Sequence, residues 1–396
     1  MKKYWKLLSI TIIAVLAIGT FYIQKAIANE NSLELALDTV SGEVAELKGM
    51  EISGGYFDNY WNKRFTITAG ELEFDNDDSF IGSLERFYQP KINQLINDHR
   101  SFMRGKNSDL AGFYEDEQLL AYANVDSKWD GQSRYKDHNF EIDVLQKGEN
   151  ERITFEQKVP NQQDYRYMYV MDVQVQDGQL SIFTRNEGNT DAPTEFRVYR
   201  FDLASEKLIS EDSLMNLDGM NSKKWHEGNL VTTSTETEPT ENVVFAKTEM
   251  EEVETEYEEY TVEEKGTEYV AYNLSTMEKT ELDIPADLST DSFNELILGS
   301  TIYFIQRTEQ GLTVISYNLE NEQENEFNVD FPSTDQGNMI VNGKGDRLYI
   351  VGGDSKELPI TIVDVNTGET LYQGIYKKKG ANGVNQFFSI DSIYIK

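Results

Sequence analysis

The sequence predicts an all-β domain built of repeated four-stranded modules and exported behind a single apolar N-terminal segment. Three observations carry that reading. Beyond residue 106 the chain alternates β-branched and aromatic residues with polar ones in short runs, as in 196–201, 301–306 and 347–351, which is the period of half-buried strands. A strand-ending turn recurs at nearly constant intervals along the second half. The chain also opens on basic residues followed directly by an apolar run.

That opening holds Lys2, Lys3, Lys6 and Lys25 and no acid before Asn29. Positive charge ahead of the apolar run 7–23 is an export signal, with the basic end kept in the cytoplasm. At 1.5 Å per residue the run is about 26 Å long, within the spanning range. Tyr4, Trp5 and Tyr22 flank it, where interfacial aromatics belong. The run exceeds a signal-peptide core of about 7–15 residues, yet Ala26-Ile27-Ala28 forms an A-x-A cleavage site. The leading expectation is a signal-anchor in residues 1–28 that holds an extracytoplasmic domain, 29–396, at the cell membrane in single-pass topology. The alternative is secretion after cleavage before Asn29.

Charge and composition exclude several classes of function. The chain has 396 residues, with 70 Asp and Glu against 36 Lys and Arg, a formal net charge of −34. Such a surface repels phosphate backbones, so nucleic acid is not an expected partner. At 39% hydrophobic and 12% aromatic, the chain has the material for a large core and does not read as disordered. With no cysteine there is no disulfide, thiolate metal site, cysteine nucleophile or lipidated cysteine. The acidity fits a saline or alkaline habitat, or simply a well-solvated surface.

The recurring turn is an apolar residue, then Asp or Asn, then an aliphatic residue and a polar turn. It occurs around Asp202, Asn273, Asn318 and Asp364, with a looser copy at Asp143. A strand is expected to end at each Asp or Asn, whose side chain closes the turn. From 273 to 318 and from 318 to 364 the intervals are 45 and 46 residues, matching blades of about 40–45 residues. The intervals 143 to 202 and 202 to 273 are longer, at 59 and 71. Insertions within 184–193 and 249–264 would account for them. Upstream, 177–183, 299–305 and 345–351 each read as a turn followed by an inner strand, and 227–233 as a related start. Turn and strand alternating at this period predict β-propeller-like repeats, about five to seven blades. Residues 29–78 would add further modules. An N-terminal strand would complete the last blade with 387–395 as its neighbour. A sandwich pair or an unclosed stack is the rival architecture.

Residues 348–354 and 361–369, with the pair Gly352-Gly353 and the turn Asp364-Val-Asn-Thr-Gly368, resemble blades of the kelch-like and quinoprotein-like β-propellers. The likeness extends over 110–396. It lacks the tryptophans that mark quinoprotein and WD40 repeats, so it implies the fold alone, which hosts unrelated functions.

Helical spacing is confined to 79–104, with Pro90 opening a second short helix. Its polar side carries Arg86, Lys91, Arg100 and Arg104, and Lys106 follows, five bases against two acids between 85 and 106. Their functional reading is a docking patch for an envelope protein, an anionic wall polymer or lipid headgroups, set against a favoured one that is internal. On that favoured reading they pair with neighbouring acids while the helices plug one end of the sheets. Glu249 to Glu264 holds nine glutamates in sixteen residues, alternating at strand period between 252 and 258. A solvated hairpin is expected there. Asp75-Asn-Asp-Asp-Ser79 has oxygen ligands but lacks the EF-hand glycine, so it reads as a helix-capping turn.

His99, His138 and His226 share no metal-ligand spacing, and neither a nucleophile elbow nor a phosphate loop is present. No catalytic residue, metal or cofactor is assigned. The leading functional expectation is a non-enzymatic binding or accessory module tethered at the bacterial cell envelope. Two alternatives stand beside it: a carbohydrate-active hydrolase or lyase with an acid pair in a propeller funnel, and a structural envelope component without a specific ligand.

Overall fold

The computed structural model describes residues 35–396 apart from 59–60, 69–70, 75–88, 130, 132–134, 149–150, 190–191, 218–222, 232–236, 255–259, 287, 289–291, 310, 332–338, 353–356 and 379–386. The described residues form 25 strands in six antiparallel sheets. In chain order they begin with β1 (Leu35–Gly42), followed by β2 (Met50–Asp58), β3 (Trp61–Thr68) and β4 (Glu71–Phe74) of blade 1. Blade 2 is β5 (Phe113–Glu115), β6 (Leu119–Trp129), β7 (Tyr135–Gln146) and β8 (Glu151–Lys158). Blade 3 is β9 (Tyr165–Gln176), β10 (Gln179–Gly188), β11 (Glu195–Asp202) and β12 (Lys207–Asn216). Blade 4 is β13 (Lys224–Val231), β14 (Asn242–Glu254), β15 (Tyr260–Asn273) and β16 (Glu278–Leu282). Blade 5 is β17 (Ser292–Leu298), β18 (Thr301–Thr308), β19 (Gly311–Asn318) and β20 (Glu324–Val329). Blade 6 is β21 (Met339–Lys344), β22 (Arg347–Gly352), β23 (Glu357–Asp364) and β24 (Thr370–Lys378). The last strand, β25 (Phe387–Ile395), returns to blade 1 and pairs with β2.

The turns that set the period behave as local chemistry dictates. Asp202 Oδ1 accepts from the Ser205 amide at 2.7 Å, and Asn273, Asn318 and Asp364 accept from amides two and three residues on. Each ends the third strand of its blade. Asp143 does not. It lies inside β7, three residues before the strand ends at Gln146, because its carboxylate is held by Lys106 and Arg152. The segments at 179, 301 and 347 are the second strands of their blades, whereas 227–231 belongs to a first strand. Between β9 and β10, Asp177 and Gly178 adopt φ of 50° and 76°, the left-handed pair that a two-residue hairpin needs.

The expected closure is corrected in its pairing. β1 does complete the last blade, on β24, but 387–395 joins blade 1 rather than β1. Gly54 allows that docking: a Cβ there would meet the Ser389 carbonyl oxygen at 2.3 Å. The 71-residue interval also has two sources. β14 and β15 extend their pairing out to Glu254 and Tyr260, and a long connection separates β13 from β14.

Apolar clusters join successive blades. Phe140 meets Tyr199 and Phe201 between blades 2 and 3, at 4.8 and 5.4 Å between ring centroids. Phe196 meets Phe245 between blades 3 and 4 at 4.9 Å. Tyr269 meets Phe304 between blades 4 and 5. Further clusters join blade 5 to 6 and blade 6 to 1. Each fully buried ring contributes about 1.5–3 kcal/mol. Blades 1 and 2 are bridged by two helices, α1 (Pro90–Asp98), with Pro90 at its first position, and α2 (Arg100–Met103). Ile92, Leu95 and Phe102 pack on Phe113, Leu120 and Tyr122 of blade 2, while Gln94 accepts from Tyr394 Oη of blade 1 at 2.7 Å. No helix among the described residues is long and apolar enough to cross a membrane; residues 7–23 lie outside the described residues.

Candidate functional site

One end of the ring is sealed. The connection after β13 brings Thr237, which is fully buried, and Glu238 against the first strands of several other blades. Thr237 O accepts from the Glu115 amide of β5 at 2.6 Å. Gln174 of β9, itself 4% exposed, donates to Glu238 O at 3.3 Å and accepts from the Thr240 amide at 3.1 Å. Lys344 of β21 pairs with the Glu238 carboxylate at 2.9 Å and reaches Ile395 O of β25. A loop of blade 4 is thereby fastened to blades 2, 3, 6 and 1.

The basic residues of the helical segment divide at this same end. Lys91 Nζ lies 2.6 Å from Glu115, which also accepts from Lys147 at 2.7 Å, with His99 at 3.7 Å. Lys106 donates to Asp143 and to Phe102 O, over the Phe102 ring at 4.0 Å, with its side chain 6% exposed. Arg100 and Arg104 are exposed, and Arg86 lies outside the described residues. Burial pushes the Asp143 carboxyl up, but hydrogen bonds from Arg152 and Lys106 outweigh it and leave it below the usual carboxylate range. Burial lowers Lys106 despite that partner. Lys91 and Lys106 are thus bound within the molecule.

The opposite end carries a different chemistry. Trp129 at the end of β6 faces Tyr135 across the β6–β7 pairing, ring centroids 5.0 Å apart. Tyr135 meets Tyr167 of β9 at 5.4 Å, and Tyr167 meets Tyr169 at 5.5 Å. Trp129 is 56% exposed and Tyr167 43%, although rings of this size normally gain by burial. Directly across from Tyr167 and Tyr169 on β10 stand Glu187 and Arg185. These two pair at 3.0 Å, with Arg166 at 3.6 Å from Glu187. Arg185 donates to Gly228 O at 3.2 Å. Gly228 lines a pocket of about 300 Å³ between blades 4 and 5, with Glu227, Asn229, Glu264, Phe293 and Glu295 around it. Tyr269 Oη donates to Glu295 at 2.6 Å. Burial raises the Glu295 carboxyl, and the nearby Glu264 adds to the rise against the Tyr269 hydrogen bond.

A buried polar network lies beneath the aromatic strip. Ser127 Oγ and Tyr165 O take the two ring nitrogens of His138, at 2.7 and 3.1 Å. His138 is fully buried, and burial lowers its pKa. The neutral ring therefore donates through Nε2 to the carbonyl and accepts from Ser127 through Nδ1. Tyr165 Oη donates to Glu195 at 3.1 Å, and Arg197 holds the same carboxylate at 2.9 Å. Asn186 bridges Thr184 and Tyr199. The strip thus stands on fixed supports, as a binding surface requires. Among the described residues no three His, Asp or Glu groups assemble as a metal site, and 75–79 lies outside them.

Sequence reasoning missed the strip, the pocket and the seal. The spacing of Tyr165, Tyr167 and Tyr169 was the one visible trace. Trp129 and Tyr135 join them only through hairpin register and blade packing.

Six successive antiparallel sheets, closed by a returning strand, define a β-propeller-like protein with one end sealed and the other carrying an aromatic strip and a pocket. No family model matches the chain, and no curated protein matches it. Solved structures similar to it include an uncharacterized protein of Listeria monocytogenes, lmo1340, at TM-score 0.36 and 6% identity, over 67% of this chain and 66% of that one. An acylaminoacyl peptidase of Pyrococcus horikoshii has TM-score 0.34 and 13% identity, over 65% of this chain and 38% of that one. TolB of Acinetobacter baumannii has TM-score 0.24 and 9% identity, over 87% and 79%. Likenesses this distant carry no argument about function, and the fold rests on the sheets themselves.

Proposed function

We propose that the protein is a binding module of the bacterial cell envelope, tethered outside the membrane by residues 7–23, whose ligand surface is the open end of blades 2 to 4. The observation that carries this reading is the exposed strip Trp129–Tyr135–Tyr167–Tyr169 standing on a buried polar network. Exposed aromatic rings cost hydrophobic stabilisation, and rigid supports prepare them for a partner. Cosedimentation with purified cell envelopes tests the reading. Trp129→Ala and Tyr167→Ala should each release the protein, while Tyr260→Ala, which removes an equally exposed ring in blade 4, should not. Equal retention of all four proteins would contradict it.

A second reading is favoured by Glu227, Glu264 and Glu295 sharing one pocket. A carboxyl raised by burial can hold the proton that a glycosidic oxygen needs, with a second carboxylate as its counterpart. On this reading the open end turns over a glycan. Release of reducing ends from envelope polysaccharide, lost in Glu295→Gln, would support it; binding without turnover would remove it.

A further inference from the structure

We infer that the hairpin of β14 and β15 is a docking edge for a soluble basic polypeptide, which adds to β15 as an extended strand. The inference is independent of the aromatic strip, which lies on blades 2 and 3. β15 pairs with β14 from Tyr260 to Asn273, but β16 covers its other side only from Tyr269 to Asn273. Among the described residues the outer edge from Tyr260 to Glu268 thus has no strand partner, and its outward amides and carbonyls are open to one. Residues directly opposite in an antiparallel pair share a face, so the register sorts the hairpin's side chains. Ala246 and Tyr269 pack with Phe304 of blade 5. The same face continues outward through Met250 and Glu264, Glu252 and Val262, and Glu254 and Tyr260. Tyr260 is 59% exposed and Val262 49%, so the outermost pairs stand clear of blade 5.

Charge names the occupant. The hairpin's own cations serve the other face: Lys224 pairs with Glu249 and Glu251, Lys265 with Glu251 and Glu263, and Lys247 with Glu268. On the face towards blade 5, Glu252, Glu254 and Glu264 have no ion-pair partner among the described residues. Neither do Glu227 and Glu295 in the pocket that Glu264 also lines. Against these five carboxylates stand Lys223 and Arg307, which lie over the rings of Tyr260 and Phe293 at 6.0 and 4.5 Å. Residues 218–222, 255–259, 289–291 and 310, next to these strands in sequence, hold no Lys or Arg. Among the described residues no three acids assemble as a metal site, so the charge suits basic groups spaced along a chain rather than one ion. A second copy of this edge is repelled by like charge. Anionic wall polymers and headgroups are repelled as well, so Tyr260 takes no part in envelope retention. In an added strand, lysine stems cover Val262 and Tyr260 while their ammonium groups reach Glu264 and Glu252.

Isothermal titration of the full-length protein with an end-blocked octapeptide of alternating lysine and valine tests the inference, with the glutamate–valine octapeptide and spermine as counter-probes. Saturable binding of the basic peptide is expected, weakening about tenfold from low to high salt. Glu264→Gln and Glu252→Gln should each weaken it about threefold, as exposed ion pairs do, and the double variant about tenfold. Glu249→Gln, on the opposite face, should leave it unchanged, with circular dichroism showing that each variant is folded. In the complex, hydrogen exchange should slow at alternate amides between Tyr260 and Glu268. Trp129→Ala should bind the peptide as the wild type does, which keeps this edge and the strip separately readable. Absence of binding, or equal binding of the acidic peptide, would overturn the inference. Binding indifferent to both Glu252 and Glu264 would place the peptide elsewhere and overturn it too. Spermine competing as well as the peptide would reduce recognition to charge and remove the added strand.

Discussion

Tyr165 and Glu195 meet beneath the aromatic strip, the phenol donating to the carboxylate at 3.1 Å, while the same tyrosine's backbone carbonyl holds His138 of the neighbouring blade. One residue thus ties the polar interior of blade 3 to blade 2, where the exposed rings of both blades converge. Glu195 also anchors Arg197, whose side chain is 16% exposed. Glu195→Ala should therefore cost about 3 kcal/mol, because it removes the nearer carboxylate of a largely buried guanidinium and leaves it only Glu211, at 3.7 Å. Tyr165→Phe, which removes a single hydrogen bond to a charged group, should cost about 1.5–3 kcal/mol. Urea unfolding compares the two; equal midpoints for both variants and the wild type would show that the network is idle.

At the sealed end, Asp143 and Lys106 form a second buried unit. Asp143→Ala should destabilise by about 3 kcal/mol, and pairing it with Lys106→Met should recover part of that loss. The pH dependence has a fixed sign. The folded Asp143 carboxyl lies below its unfolded value of about 3.9, so its contribution is present above that value and fades as pH falls through the folded one. The wild type should lose more stability on acidification than Asp143→Ala. Parallel pH profiles would contradict the assignment.

The pocket carboxylate has the opposite sign. Glu295 is raised by burial above its unfolded value of about 4.3. The folded state holds that proton more tightly, so stability declines as pH rises from the unfolded towards the folded value. Glu295→Gln, which keeps an acceptor for Tyr269, should raise the melting temperature at neutral pH and leave it unchanged below about pH 4. A lower melting temperature at neutral pH would show that the charged form is the one the pocket stabilises.

These ion pairs also mark what the sequence makes legible. The turns at Asp202, Asn273, Asn318 and Asp364 are local chemistry, closed within three residues, and so their period was readable. Asp143 has the same surroundings in sequence, but Lys106, 37 positions away, takes its carboxylate. The strand period read between 252 and 258 likewise depends only on alternation; 252–254 lies in β14, and 255–258 lies outside the described residues. That Lys91 and Lys106 pair with acids was the favoured reading, but Glu115 and Asp143 come from strands that only the fold brings near, so the partners were not readable. The pocket gathers β13, β14, β15 and β17, and no local string announces that.

The seal predicts an order of importance among its own contacts. Gln174 is buried and bonds the loop through both ends of its amide, whereas the Lys344–Glu238 pair is 32% and 40% exposed and screened by solvent. Gln174→Ala should accelerate amide exchange at Glu115 and Thr240 far more than Lys344→Ala does. The reverse order would place the fastening at the ion pair.

The proposed ligand surface lies at the open end of the ring, not at the sealed one. Hydroxyl-radical footprinting of the full-length protein, free and bound to purified envelopes, reads that claim residue by residue. Protection of Trp129, Tyr135 and Tyr167, with Tyr260 labelled equally in both states, is the predicted result. Protection centred on Arg100 and Arg104, with Trp129 and Tyr167 still fully labelled, would contradict it and move the ligand surface to the helices.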